Sequence, residues 1–204
     1  MTTVSGGASA LQHTNRRGVA FHLHQGTTKT GKPKYCVAKT VGPGALAEMP
    51  AGFEFAESVN GVVSIRRVNN SPKLVADDDV ELVRSALARH RHLRHHRCEE
   101  AKGKIVIYEP TGAMSDDDLQ EMAHDHGLPA EVFERHMEDF WSRRKYQPVM
   151  RFLASTACTG EYIVQRMMYR GEGGWSYSLA HGPLARLVRD FVPSVGTERF
   201  FELL

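Results

Sequence analysis

Apolar and polar residues alternate first at 19–24, where Val19, Phe21 and Leu23 interleave with Ala20, His22 and His24, and again at 34–38, where Tyr35 and Val37 interleave with Lys34, Cys36 and Ala38. A period of two predicts half-buried strands, here joined as a hairpin. The intervening GlnGlyThrThrLysThrGlyLysPro supplies the turn, with Gly31 able to take a positive φ and Pro33 entering at a strand edge. A second hairpin follows: ProAlaGly at 50–52 opens Phe53 to Glu57, and AsnGly at 60–61, the favoured sequence of a tight primed turn, leads into Val62 to Val68.

The period then lengthens. Asp77 to Cys98 reads as one helix, with Asp78 as N-cap and Glu81 three residues on, an acidic form of the capping box. Val80, Leu82, Val83, Ala86, Leu87 and Leu93 share a broad apolar face. Arg84, Arg91, His92 and His95 point the other way, flanked by Arg89 and His96. His90, Arg94 and Arg97 fall on the continuation of the apolar face, so the last turn is expected to run past the core. Gly103 and LysIleValIleTyr, closed by Pro110, give a short strand.

Beyond residue 110 the pattern turns helical. Ser115 is the expected cap of a helix ending at Gly127, and Pro129 opens a second reaching about Lys145, with Val132, Phe133, Met137, Phe140 and Trp141 on its inner face. Strands are predicted at 149–154, 161–170 and 175–179, then a helix over Leu184 to Phe191 and an apolar end, PhePheGluLeuLeu. The expected class is α+β: a flexible segment at 1–15, an antiparallel β-rich module with one long helix at 16–110, and at 111–204 a helical hairpin, a small antiparallel sheet and terminal helices.

Charge adds an asymmetry. The net +2 divides into 16 Lys and Arg against 10 Asp and Glu over 1–110, and 10 against 14 over 111–204. The basic front half suits an anionic partner. Cys36, Cys98 and Cys158 are too few and too scattered for a disulfide framework or a zinc ribbon, which points to a reducing, cytoplasmic setting. Neither a signal peptide nor a run of about 18 apolar residues occurs, so no membrane association is expected.

ThrLysThrGlyLysProLysTyr at 28–35, ProAlaGlyPheGluPhe at 50–55, AsnGlyValValSerIleArgArg at 60–67 and TyrGlnProValMetArgPhe at 146–152 resemble segments of a group of uncharacterised bacterial hypothetical proteins. The resemblance implies a bacterial cytosolic protein and carries over no functional residues.

Several clusters suggest chemistry. His92, His95 and His96, with Glu99, Glu100 or Cys98 in reach, have imidazoles at helical spacing for zinc or nickel, but no known metal-motif spacing, and solvated histidines account for them. His22 and His24 share a strand face near Cys36, a pattern that a solvated sheet face also produces. HisAspHis at 124–126 matches only the two-residue core of the HD-type phosphohydrolases. Residues 119–137 have the outline of a helix-turn-helix, yet Glu131, Glu134 and Glu138 would face DNA phosphates with only Arg135 among them, so a plain αα-hairpin is expected. No GxxxxGK[ST], HExxH, GxSxG or GxGxxG is present, and no metal or other cofactor is expected.

The remaining constellation is basic. Lys29, Lys32 and Lys34 in the first turn, Arg84, Arg89, Arg91, His92, Arg94, His95 and Arg97 in the basic segment, and Arg143, Arg144 and Lys145 after the second helix form the expected phosphate-contacting set, with Tyr35 and Tyr146 as either stacking surfaces or core residues. Arg151, Arg166 and Arg170 are a candidate second stripe. The sequence points to a non-enzymatic nucleic-acid-binding protein. The alternatives are a subunit docking on an acidic protein partner and a metal-dependent hydrolase using the histidines.

Overall fold

The computed structural model describes residues 10–112, 119, 121, 124–127, 129–168 and 174–203. The chain is α+β and divides after Ser71 into two compact units. The boundary expected at 110 instead runs through one continuous sheet, in which Lys104–Pro110 pairs with Tyr146–Ala154.

In the first unit, β1 (Gln12–Thr14), β2 (Ala20–Thr27) and β3 (Pro33–Ala38) form an antiparallel sheet in that order. A separate hairpin joins β4 (Phe53–Glu57) to β5 (Val63–Arg67). The alternation seen in sequence places Leu23 in the core, and the Tyr35 ring meets Phe53 edge-on at 4.8 Å. His24 lies opposite Cys36 as expected; Cys36 is exposed, while the His24 ring is buried. The loop after β3 folds over it, bringing the carbonyls of Thr40 and Pro43 to its two ring nitrogens at 3.1 and 3.4 Å. That loop can approach only because residue 44 is glycine: its φ is +81°, and a Cβ would stand 2.5 Å from the Gln25 carbonyl oxygen. AsnGly at 60–61 does not form the primed two-residue turn. Ser58 O accepts from Gly61 N and Ser58 N donates to Val62 O, with Gly61 at φ +70°, which is a type I turn with a glycine bulge. A two-residue turn with positive φ at both positions occurs instead at Lys102 and Gly103.

In the second unit, β6 (Arg97–Glu100), β7 (Lys104–Pro110), β8 (Tyr146–Ala154) and β9 (Glu161–Met168) are consecutive antiparallel neighbours. β10 (Gly174–Trp175) and β11 (Ala180–Pro183) both pair with the free edge of β9. Cys98, Ile105, Ile107, Met150, Phe152 and Val164 line one face. Against them pack Val83, Ala86 and Leu87 of α1 (Asp77–Ala88) and Leu184, Leu187 and Val188 of α3 (Leu184–Phe191). The inter-helical connection of the C-terminal half ends at Gly127 with φ +62°, and α2 (Ala130–Arg143) starts after Pro129, as expected. The Ser115 cap lies outside the described residues. A 3₁₀ turn at Val192–Ser194 and the short α4 (Arg199–Glu202) close the chain.

Two expectations about α1 are corrected. Its N-cap is Ala76, with no side-chain cap bond. Asp79, in the first turn, has a distinct role: its carboxylate accepts from the Tyr162 hydroxyl at 2.6 Å and ties the helix start to β9. The second correction is length. The helix stops at Ala88, a 3₁₀ turn covers Arg91–Leu93, and 97–100 is a strand. Had the helix continued, Arg94 and Arg97 would have followed Leu87 into the apolar cluster, where unpaired charge is costly. Breaking at the extended His90 (φ −108°, ψ 115°) lets Leu93 and Cys98 enter the core five residues apart, a spacing that is not helical, and leaves the cations outside.

Candidate nucleic-acid interface

The break determines where the basic side chains go. Arg89 caps α1: its backbone N–H reaches Ala86 O, the N–H of His90 reaches Leu87 O, and the Arg89 Nε donates to Ser85 O. Arg84 is exposed and held by Glu81 at 2.6 Å. Arg91, His92 and Arg94 are exposed on and just after the 3₁₀ turn. Leu93, wholly buried between them, anchors the turn.

The run 94–97 then meets the end of α2. The His95 ring stacks on the Trp141 indole, centroids 3.7 Å apart and planes within 11°. Arg94 Nε donates to His95 Nε2 at 2.9 Å, and the Arg97 guanidinium lies 4.5 Å over the Tyr146 ring. Arg144 stacks on Phe140 at 3.8 Å and donates to the Thr111 carbonyl. Arg143 and Lys145 are exposed beside it. Two basic stretches separated by nearly fifty residues therefore share one locality. Trp141, assigned by its spacing to the inner face of α2, is the residue that joins them. Tyr146 is 5% exposed and serves as a support for Arg97 rather than as an open stacking surface.

Beneath this locality is a cavity of about 260 Å³. Leu87, Ala88 and Leu93 give it an apolar wall, while Arg84, Arg94 and Arg97 give it a cationic one. His96 and Cys98 also line it. Among the described residues neither ring nitrogen of His96 has a hydrogen-bond partner, and burial first, then His92 and His95, push its pKa down to about 4. Burial likewise pushes the Cys98 thiol up to about 11. Both groups are neutral near pH 7, so the positive charge of the site comes from its arginines.

The histidines do not converge as helical spacing implied. His95 faces Trp141, His96 turns inward, and His92 stands near His90 with centroids 5.7 Å apart. Among the described residues no group of three or more His, Cys, Asp or Glu is placed to hold a metal ion. His124, Asp125 and His126 are exposed.

Lys29, Lys32 and Lys34 are exposed on the β2–β3 hairpin of the first unit, and Tyr35 belongs to that unit too. The Arg151–Arg166 stripe does not form: Arg151 pairs with Gln165 across β8 and β9, while Arg166 pairs with Met150 and so faces the opposite side. Arg170 lies outside the described residues. No described helix is long and apolar enough to cross a membrane. Searches of protein-family models, curated proteins and solved structures find no match to this chain.

Proposed function

We propose that the protein is a non-enzymatic nucleic-acid-binding protein or subunit, contacting the phosphate backbone through the Arg/His segment 84–97 together with Arg143, Arg144 and Lys145. The observation that carries this reading is the pair of stacks, His95 on Trp141 and Arg97 over Tyr146, which bring the second basic stretch to the segment whose own arginines wall a cavity. Cations gathered in this way can follow a phosphate backbone. An acidic protein partner would use the same cations, and binding shared by unrelated DNA and RNA sequences separates the two. A cytosolic setting goes with this reading, since Cys36, Cys98 and Cys158 are all free thiols.

The test is a titration of the full chain with random-sequence DNA and RNA at two salt concentrations. Arg91, Arg94 and Lys145 are exposed, and replacing all three by Gln should weaken binding to every sequence and lower the salt slope by about three phosphate equivalents. Unchanged binding in a folded triple variant would remove the assignment.

A further inference from the structure

The main apolar cluster of the second unit lies on one face of its sheet. On the other face Glu99, Val106, Arg151 and Gln165 stand in register across β6, β7, β8 and β9. One alternation further along lie Arg97 and Tyr108, and on the other side Lys104. Val106 is buried, while the long side chains around it are half-exposed. Arg151 is central. Its Nε donates to Gln165 Oε1 at 2.7 Å, its guanidinium lies 4.1 Å from the centroid of the Trp175 ring, and Gln165 in turn donates to Ser176 O. Burial alone lowers the Arg151 pKa, and no carboxylate among the described residues pairs with it. A guanidinium stripped of part of its water, planar and backed by an indole, is therefore left without an anion. Along β6 to β9 this face holds three cations, Arg97, Lys104 and Arg151, against two carboxylates, Glu99 and Glu161.

We propose that this open sheet face is a stacking platform for single-stranded nucleic acid, with bases lying on Tyr108 and on the Trp175–Arg151 pair and phosphates held by Arg97, Arg151 and Lys104. The inference rests on the nucleic-acid reading above and names its substrate class. Continuity supports it, because Arg97 opens β6 and is also the end of the basic segment. A strand bound along residues 91–97 passes directly onto the sheet. Chemistry excludes a duplex here: paired bases are stacked on one another and do not offer their faces to Tyr108 or Trp175.

The experiment uses the full chain and three probes: a single-stranded oligonucleotide of about 12 residues, its duplex, and inorganic polyphosphate, which has the charge without bases. Trp141 and Trp175 are the two tryptophans, so in Trp141→Phe the indole emission reports Trp175. The expected result is quenching by the single strand and not by duplex or polyphosphate. Trp175→Ala should weaken single-strand binding roughly tenfold and leave polyphosphate binding unaltered. Arg151→Gln, which keeps the Trp175 ring, should weaken single-strand binding as well and covers the case in which Trp175→Ala does not fold. If all three probes bind alike and Trp175 emission does not respond, the platform is overturned while the polyanion reading stands. If polyglutamate displaces the oligonucleotide stoichiometrically, or if sedimentation shows a dimer that protects Trp175, the platform is likewise overturned. If no polyanion binds, both readings fall.

Discussion

His96 illustrates how one side chain changes role when its surroundings change. Its pKa falls from 6.5 to about 4, with burial the largest cause and the charges of His92 and His95 next; Arg84, Arg94 and Arg97 also stand around the cavity it lines, with Glu99 the one carboxylate there. Between those two pH values the unfolded chain binds a proton that the folded one does not, so stability is full above pH 6.5 and is lost as pH falls toward 4. The loss is at most roughly 3 kcal/mol. Denaturant unfolding at pH 7 and pH 4.5 should show His96→Gln flattening this dependence; an equally steep profile in the variant would mean that another group titrates. His96 is neutral from pH 7.5 to 5.5, and any rise in polyanion affinity over that range must come from other groups. The aspartates at the start of α1 separate in the same manner. Tyr162→Phe removes the hydrogen bond to Asp79 and should cost about 2 kcal/mol, whereas Asp78→Ala should change stability by less than about 0.5 kcal/mol. Equal effects in the two variants would restore Asp78 as the cap.

At the scale of elements, the segment 89–97 decides the architecture of the second unit. Its composition suits the C-terminal end of a helix, where cations complement the macrodipole. Core geometry outweighs that preference of a few tenths of a kcal/mol per residue, because a buried Leu93 contributes several times more. Leu93→Ala should therefore destabilise by about 2–5 kcal/mol, while Arg91→Ala, on the exposed side of the same turn, should be neutral to within about 0.5 kcal/mol. Thermal or urea unfolding distinguishes the two. Comparable small effects would indicate that the turn is not anchored in the core. The hairpin after the turn completes the arrangement: Lys102 and Gly103 reverse the chain so that Cys98 lies opposite Ile107 on the core side and Glu99 opposite Val106 on the open side.

Across the whole molecule, the two compact units differ in charge. Residues 1–71 hold eight Lys and Arg against three Asp and Glu, and residues 72–204 hold 18 against 21. The basic segment 84–97 is thus a local concentration of charge on a unit that is net acidic, while the lysine hairpin belongs to a unit basic throughout. Between the units, residues 66–74 are exposed without interruption and carry Arg66, Arg67 and Lys73. Brief trypsin treatment of the native protein should cut first after Lys73, because exposed backbone outside regular structure is where proteases act. Initial cleavage at the β2–β3 hairpin instead would show that Lys29 is the more accessible site.

Much of the fold was determined locally. The alternation of Val19 to Ala38, the hairpin from Phe53 to Val68, the helix opened by Pro129 and the helix Leu184 to Phe191 are set by short-range pattern and turn residues, which act within a few positions of themselves. The basic segment was not, since a histidine and arginine run has no period of its own and takes its shape from what it must bury, here Leu93 and Cys98. Tertiary structure alone decided that His95 would stack on Trp141, that Arg97 would cover Tyr146, and that Arg151 and Arg166 would part to opposite faces. Those outcomes depend on strand register and on contacts between residues far apart in the chain, and a one-residue shift of register would exchange the two faces of the sheet.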